Sequence, residues 1–214
     1  MSEQVDDQID RRGGCGIGRV RFVVRMGRGI GLGLILDGRL YRGARGGAGE
    51  FGHVKIADDD TPCACGASGC LEAVIADPAL EAHFERLTGE PTSTEAAAKA
   101  ARGGNDALRA VFTAAAEHLG RAISNLLNTL NPELVVLSGE GSHAADLMLD
   151  PLNAALRADT FDGLLDGVDV VVEPWDDEAW ARGAASLVLA EMFQPAIRPH
   201  EGVERPSLTL TQAG

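Results

Sequence analysis

Three cysteines and a histidine fall in one short stretch: His53, Cys63, Cys65 and Cys70, in the pattern H-x9-C-x-C-x4-C. The set offers one imidazole nitrogen and three thiolates. Zinc takes four N/S ligands in a tetrahedron, and a Cys3His set leaves no open position, so a structural rather than a catalytic ion is expected. Gly66 and Gly69 let the chain fold back tightly around a metal. Cys63 and Cys65 are too close in sequence for an ordinary bridge, and thiols clustered in this way in a cytosolic protein read as ligands rather than disulfides. The alternative is three unrelated buried cysteines near a surface histidine. Cys15 lies apart in an irregular segment and is assigned no role.

The elements that must position this set can be read from turn and periodicity signals. Residues 19–26, RVRFVVRM, predict a strand, and LILDGRLY after GRGIGLG predicts a hairpin, because Asp37–Gly38 suits a tight turn with positive φ. FGHVKI at 51–56 reads as a further short strand, and ADDDTPCACGASGC as a loop. LEAVIA opens a helical stretch. Asp77 before Pro78 reads as a helix cap with proline in the first turn, and Thr92 with Glu95 has the spacing of a capping box. Asn105 is expected to cap a long helix to about Leu130, in which Val111, Ala115, Leu119, Ala122, Leu126 and Leu130 follow helical spacing. A buried-type strand at 133–139, a helix near 144–158, a strand at 168–174 and a helix at 176–193 complete the expected order. Residues 1–18 show no clear period, and 194–214 are polar and proline-rich, as disordered tails are. The body is therefore placed at 19–193, and its class is α/β.

Composition limits what such a body can do. The 214 residues are 45% hydrophobic but only 4% aromatic, so a core of aliphatic side chains is expected. A net charge of −13, from 32 acidic and 19 basic residues, argues against gripping DNA phosphates or an anionic membrane. No run approaches the ~18 apolar residues of a membrane span. The first residues, MSEQVDDQIDRRGG, lack the apolar core of a signal peptide, so a cytoplasmic protein is expected.

EFGH at 50–53 followed by CACGASGCLEA at 63–73 closely resembles the signature of the ROK family (repressor, ORF, kinase). The resemblance runs from about Val20 to Phe193 and includes GIGLGLILDGRLYRGARGGAGEFGH, PELVVLSGEG and WARGAASLVL, the last more like the regulator branch than the glucokinase branch. It implies an actin-like, RNase H-like fold, of which this chain would be mainly the second, C-terminal lobe with a zinc loop at 53–70. Family kinases phosphorylate a sugar with ATP; family regulators keep the sugar pocket and add a DNA-binding winged helix; both commonly form homo-oligomers.

By the same resemblance Glu50 and Glu72 match positions that bind sugar hydroxyls, which a carboxylate can do for more than one hydroxyl at once. Taken alone, Glu50 would be a solvated loop residue, and Glu72 a carboxylate favoured by a helix N-terminus. His53 matches a residue that gives one ring nitrogen to zinc and the other to the sugar. Gly27, Gly29, Gly31 and Gly33 match the phosphate hairpin of the kinases, which makes Gly29 and Gly31 candidate phosphate-binding residues. Arg28 stands where the kinases carry threonine, and Glu140 brings negative charge into SGEG, where they carry a glycine run; both departures argue against ATP as a cofactor.

No Asp-x-Gly-x-Thr and no Asn-Asp pair precede Gly27. Phosphoryl transfer needs a base and an electrostatic clamp, so no kinase activity is expected of this chain, and no direct nucleic-acid binding. The expectation is a truncated regulator portion that binds a hexose or amino sugar and structural zinc. The alternatives are a fragment of an ATP-dependent sugar kinase and a stand-alone sugar-binding or oligomerisation module.

Overall fold

The computed structural model describes residues 19–56 and 60–173, with further helical positions at 181, 185, 188, 189 and 192. The expected tails at 1–18 and 194–214, and all but those five positions of the expected helix at 176–193, lie outside the described residues. The chain divides into two units, Met1–Trp175 and Asp176–Gly214, and every element named below belongs to the first.

A five-stranded mixed sheet, in the order β3-β2-β1-β4-β5, carries the fold. Its strands are β1 (Val20–Arg25), β2 (Gly31–Leu36), β3 (Arg39–Leu40), β4 (Leu134–Ser138) and β5 (Asp169–Val172). β2 runs antiparallel to both β1 and β3, whereas β1–β4 and β4–β5 run parallel. Asp37 and Gly38 close the β2–β3 hairpin with φ of 51° and 73°, both in the left-handed region that a primed two-residue turn requires. Parallel pairing sets Phe22 beside Val135 and Val24 beside Leu137, and these four side chains form one buried face.

Among the described residues of the first unit, five α-helices follow the hairpin group: α1 (Leu71–Ile75), α2 (Asp77–Thr88), α3 (Thr94–Arg102), α4 (Asp106–Leu130) and α5 (Ala145–Asp159). Asn105 caps α4 by accepting from Leu108 N–H at 3.2 Å, and Asn131 ends it in the left-handed conformation just before Pro132. The breadth of α4's apolar side has a direct cause. Leu108, Phe112, Leu119, Ile123 and Leu127 are all buried, and α4 packs against α1, α2, α3 and α5. Phe84 of α2 meets Phe112 with ring centroids 5.2 Å apart.

Gly120 lets α4 and α5 approach closely. A Cβ there would lie 2.6 Å from Ala155 Cβ and 2.9 Å from the Leu152 carbonyl oxygen. Gly120→Leu should therefore lower stability by about 1–3 kcal/mol through overpacking, read as a lower urea midpoint at an unchanged slope.

Three local expectations need correction. Residues 51–56 are not a strand: Phe51–His53 form a 3-10 turn, and only Lys55 makes a sheet-like bridge, to Cys70. Buried Phe51 anchors the turn, which swings His53 toward the cysteines. The cap of α3 is Ser93, whose hydroxyl accepts from Ala96 N–H at 3.2 Å, while the Thr92 hydroxyl donates to the Glu90 carbonyl at 3.0 Å. The cap of α2 is Ala76, with Asp77 already inside the helix. Among the described residues, no helix is long and apolar enough to cross a membrane.

Candidate metal centre and adjoining carboxylates

The loop that carries the cysteines is closed by backbone pairing. Lys55 bridges Cys70 and Pro62 bridges Ser68, with Ile56 N–H donating to the Gly69 carbonyl at 3.0 Å and Leu71 N–H to Val54 at 3.0 Å. Cys63 N–H donates to Ala67 at 2.7 Å, and Gly66 N–H returns to Cys63 at 3.0 Å, forming a tight knuckle. Gly66 and Gly69 take φ of 89° and 68°, the conformations the sequence suggested they were there to supply.

This folding gathers His53, Cys63, Cys65 and Cys70 so that one donor atom from each lies within 4.8 Å of all the others. His53 Nδ1 is 3.6 Å from Cys63 Sγ, and Cys65 Sγ is 3.8 Å from Cys70 Sγ. A tetrahedron with metal–sulfur bonds of about 2.3 Å has sulfur–sulfur edges of about 3.8 Å. The donor set therefore fits a metal ion in chemistry and in spacing. The three thiols are free, and Cys63 and Cys70 are buried while Cys65 is exposed. A hydrogen bond from the Ala67 backbone, and then one involving Cys63, hold the Cys65 thiol below its ordinary pKa, while, against a backbone hydrogen bond at Cys65, burial and the neighbouring thiols push the Cys63 thiol up.

Two carboxylates bracket the motif in sequence, and Glu50 lies beside the cluster itself. His53 Nε2, the ring nitrogen other than the one near Cys63, is 3.9 Å from Glu50 Oε2. Glu50 is reached through Gly49, at φ 93°, where a Cβ would lie 2.0 Å from the Leu32 carbonyl oxygen and only glycine fits. Glu72 stands two residues beyond Cys70, in the first turn of α1, and is half-buried. Its Oε2 accepts from Ile30 N–H at 3.0 Å. It also lies 2.9 Å from the place a Cβ would take on Gly29 and 3.3 Å from that on Gly52. Glu72 thus ties the cysteine loop, the 3-10 turn and the glycine turn together.

The glycine turn at 27–30 sits at the carboxyl end of β1, beside that of parallel β4. In open α/β sheets ligands gather at such strand ends. Gly141 N–H donates to Met26 at 3.0 Å and Asp77 N–H to Gly27 at 2.9 Å, joining three segments there. Gly31 has open space where a side chain would stand, but Gly29 is covered by Glu72, which also takes the Ile30 amide. Glu140 packs against Gly27 and pairs with Arg25 at 3.2 Å. The turn is therefore flanked by two carboxylates, which repel an incoming anion. Burial raises the pKa of Asp77 beside it, opposed by a hydrogen bond with Thr94. Two participants escaped the sequence reading: Lys55, whose ammonium lies 3.1 Å from Cys70 Sγ, and Arg25, which pairs with Glu140. The only signal for Lys55 was its place two residues after His53.

The model of the ROK family matches residues 18–191. The xylose repressor of Caldicellulosiruptor bescii is 29% identical over 181 residues, covering 78% of this chain and 45% of that protein. Among solved structures, a ROK family transcriptional regulator, a homologue of the E. coli MLC protein, superposes with a TM-score of 0.72 at 26% identity, over 80% of this chain and 46% of that one. A ROK family glucokinase from Streptomyces griseus, in complex with glucose and AMPPNP, gives 0.68 at 25% identity, over 83% of this chain and 62% of that one. The fold shared with these structures is the actin-like ATPase fold. The chain spans about half the length of the curated relatives it matches, which include both repressors and glucokinases. With its family model matched over most of the chain and the donor cluster assembled from the very motif that suggested it, the chain belongs to the ROK family.

Proposed function

We propose that this chain is the sugar- and zinc-binding portion of a sugar-responsive ROK transcriptional regulator, with residues 19–193 as its lobe and 53–70 as its zinc loop. His53, Cys63, Cys65 and Cys70 hold the zinc, which serves as a structural crosslink. Glu50, His53 and Glu72 bind the hydroxyls of a hexose or amino sugar. The observation that carries the reading is the interleaving of the two sets. His53 turns Nδ1 to the thiols and Nε2 toward Glu50, while Cys70 and Glu72 are two residues apart at the start of α1. Ligation at Nδ1 leaves Nε2 free and fixes the ring's direction, so the metal loop orients the sugar-facing donors. The thiolates stay reduced in the cytoplasm, where this reading places the protein as a homo-oligomer.

A kinase is the second reading, favoured by the likeness to a glucokinase solved with glucose and AMPPNP. The carboxylates of Glu72 and Glu140 over the glycine turn weigh against it, because a nucleotide's phosphates would have to approach both. They also leave little support for Gly29 and Gly31 as phosphate contacts or for ATP as a cofactor. The net charge of −13 gives this polypeptide no attraction for a phosphate backbone. A coupled assay for ADP release separates the readings. The regulator reading expects no glucose-dependent rate above the blank, and a sustained glucose-dependent rate would establish the kinase instead.

A further inference from the structure

We infer that Lys55 is a positioning residue of the metal centre: its ammonium donates to Cys70 Sγ and offsets the negative charge that three thiolates leave around a divalent ion. The proposal rests on the zinc reading above. Three observations place the side chain there. Lys55 pairs directly across the backbone bridge with Cys70, so its stem leaves the chain beside that ligand. Lys55 Nζ is 3.1 Å from Cys70 Sγ. The same ammonium also donates to the Ser68 carbonyl, which fixes its direction.

The charge balance gives the contact a purpose. Three thiolates, a neutral imidazole and a dication sum to one negative charge, and Cys70 is fully buried. A buried thiolate that accepts no hydrogen bond is costly, whereas charge-assisted donors stabilise it. One lysine ammonium brings the ensemble to neutrality. It also draws electron density from the Cys70 sulfur, making that ligand less reactive toward electrophiles.

Cobalt(II) as the probe makes this visible, since its thiolate charge-transfer band reports electron density on sulfur. In Lys55→Met the band should move to longer wavelength, and metal affinity should fall by roughly tenfold, the loss typical of removing an outer-shell partner. Lys55→Arg keeps the charge and the donors and should restore both. An unchanged band and affinity in Lys55→Met would overturn the proposal, as would equal losses in both variants, which would mark Lys55 as a packing residue. If the unaltered protein gives no tetrahedral cobalt–thiolate spectrum, the metal reading itself fails, and the proposal with it.

Discussion

Cys70→Ser should release the metal and cost this protein more stability than overpacking at Gly120 or the loss of charge at Glu72. Cys70 is fully buried, pairs with Lys55 across the bridge and lies directly before α1. Structural zinc contributes ~10–16 kcal/mol to the folding of small peptides. Losing even ~3 kcal/mol of that would lower the unfolding midpoint by roughly 6–12 °C in a chain of this size. The drop should be matched by treating the unaltered protein with a strong chelator, and chelator should then have little further effect on the variant. Calorimetry with and without chelator reads all four states. A variant that melts with the parent would show that the cysteines are merely buried together.

Glu72→Gln should leave the fold and the metal in place while weakening sugar binding by about 10- to 100-fold. The amide keeps an oxygen for the Ile30 N–H, so the tie between α1 and the glycine turn survives. It loses the charge that strengthens hydrogen bonds to sugar hydroxyls, each worth about 1.5–3 kcal/mol when one partner is ionised. Titration calorimetry of the two proteins with the same sugar measures the difference, and equal affinities would remove Glu72 from the binding set. The contrast between the two changes is informative in itself. The first should abolish metal binding and with it sugar binding; the second should weaken sugar binding alone.

Much of this was written in local signals. Asp37–Gly38 forced the hairpin, Asn105 and Asn131–Pro132 bounded the long helix, and the spacing of His53, Cys63, Cys65 and Cys70 announced the cluster. These features depend on neighbouring residues, on φ or on short spacings, which a sequence displays directly. What stayed hidden depends on partners far apart in the chain. The pattern FGHVKI reads as a strand, yet within it only Lys55 finds a bridge partner, Cys70, and the turn that carries His53 prevails over propensity. Nothing near Glu72 in sequence told that it would accept from Ile30, 42 residues earlier, nor near Arg25 that it would pair with Glu140. Ser93 took the cap from Thr92 because Thr92 was already engaged with Thr88 and Glu90.

The central claim is that the metal loop organises the sugar site. Its most direct test is titration calorimetry of glucose, xylose and N-acetylglucosamine into the zinc-loaded protein and into the same preparation stripped by chelator and kept under reducing conditions. The account predicts saturable binding of at least one sugar to the zinc-loaded protein, lost on stripping and regained when zinc is returned. Binding of equal strength with and without zinc, or none to the loaded protein, would contradict it.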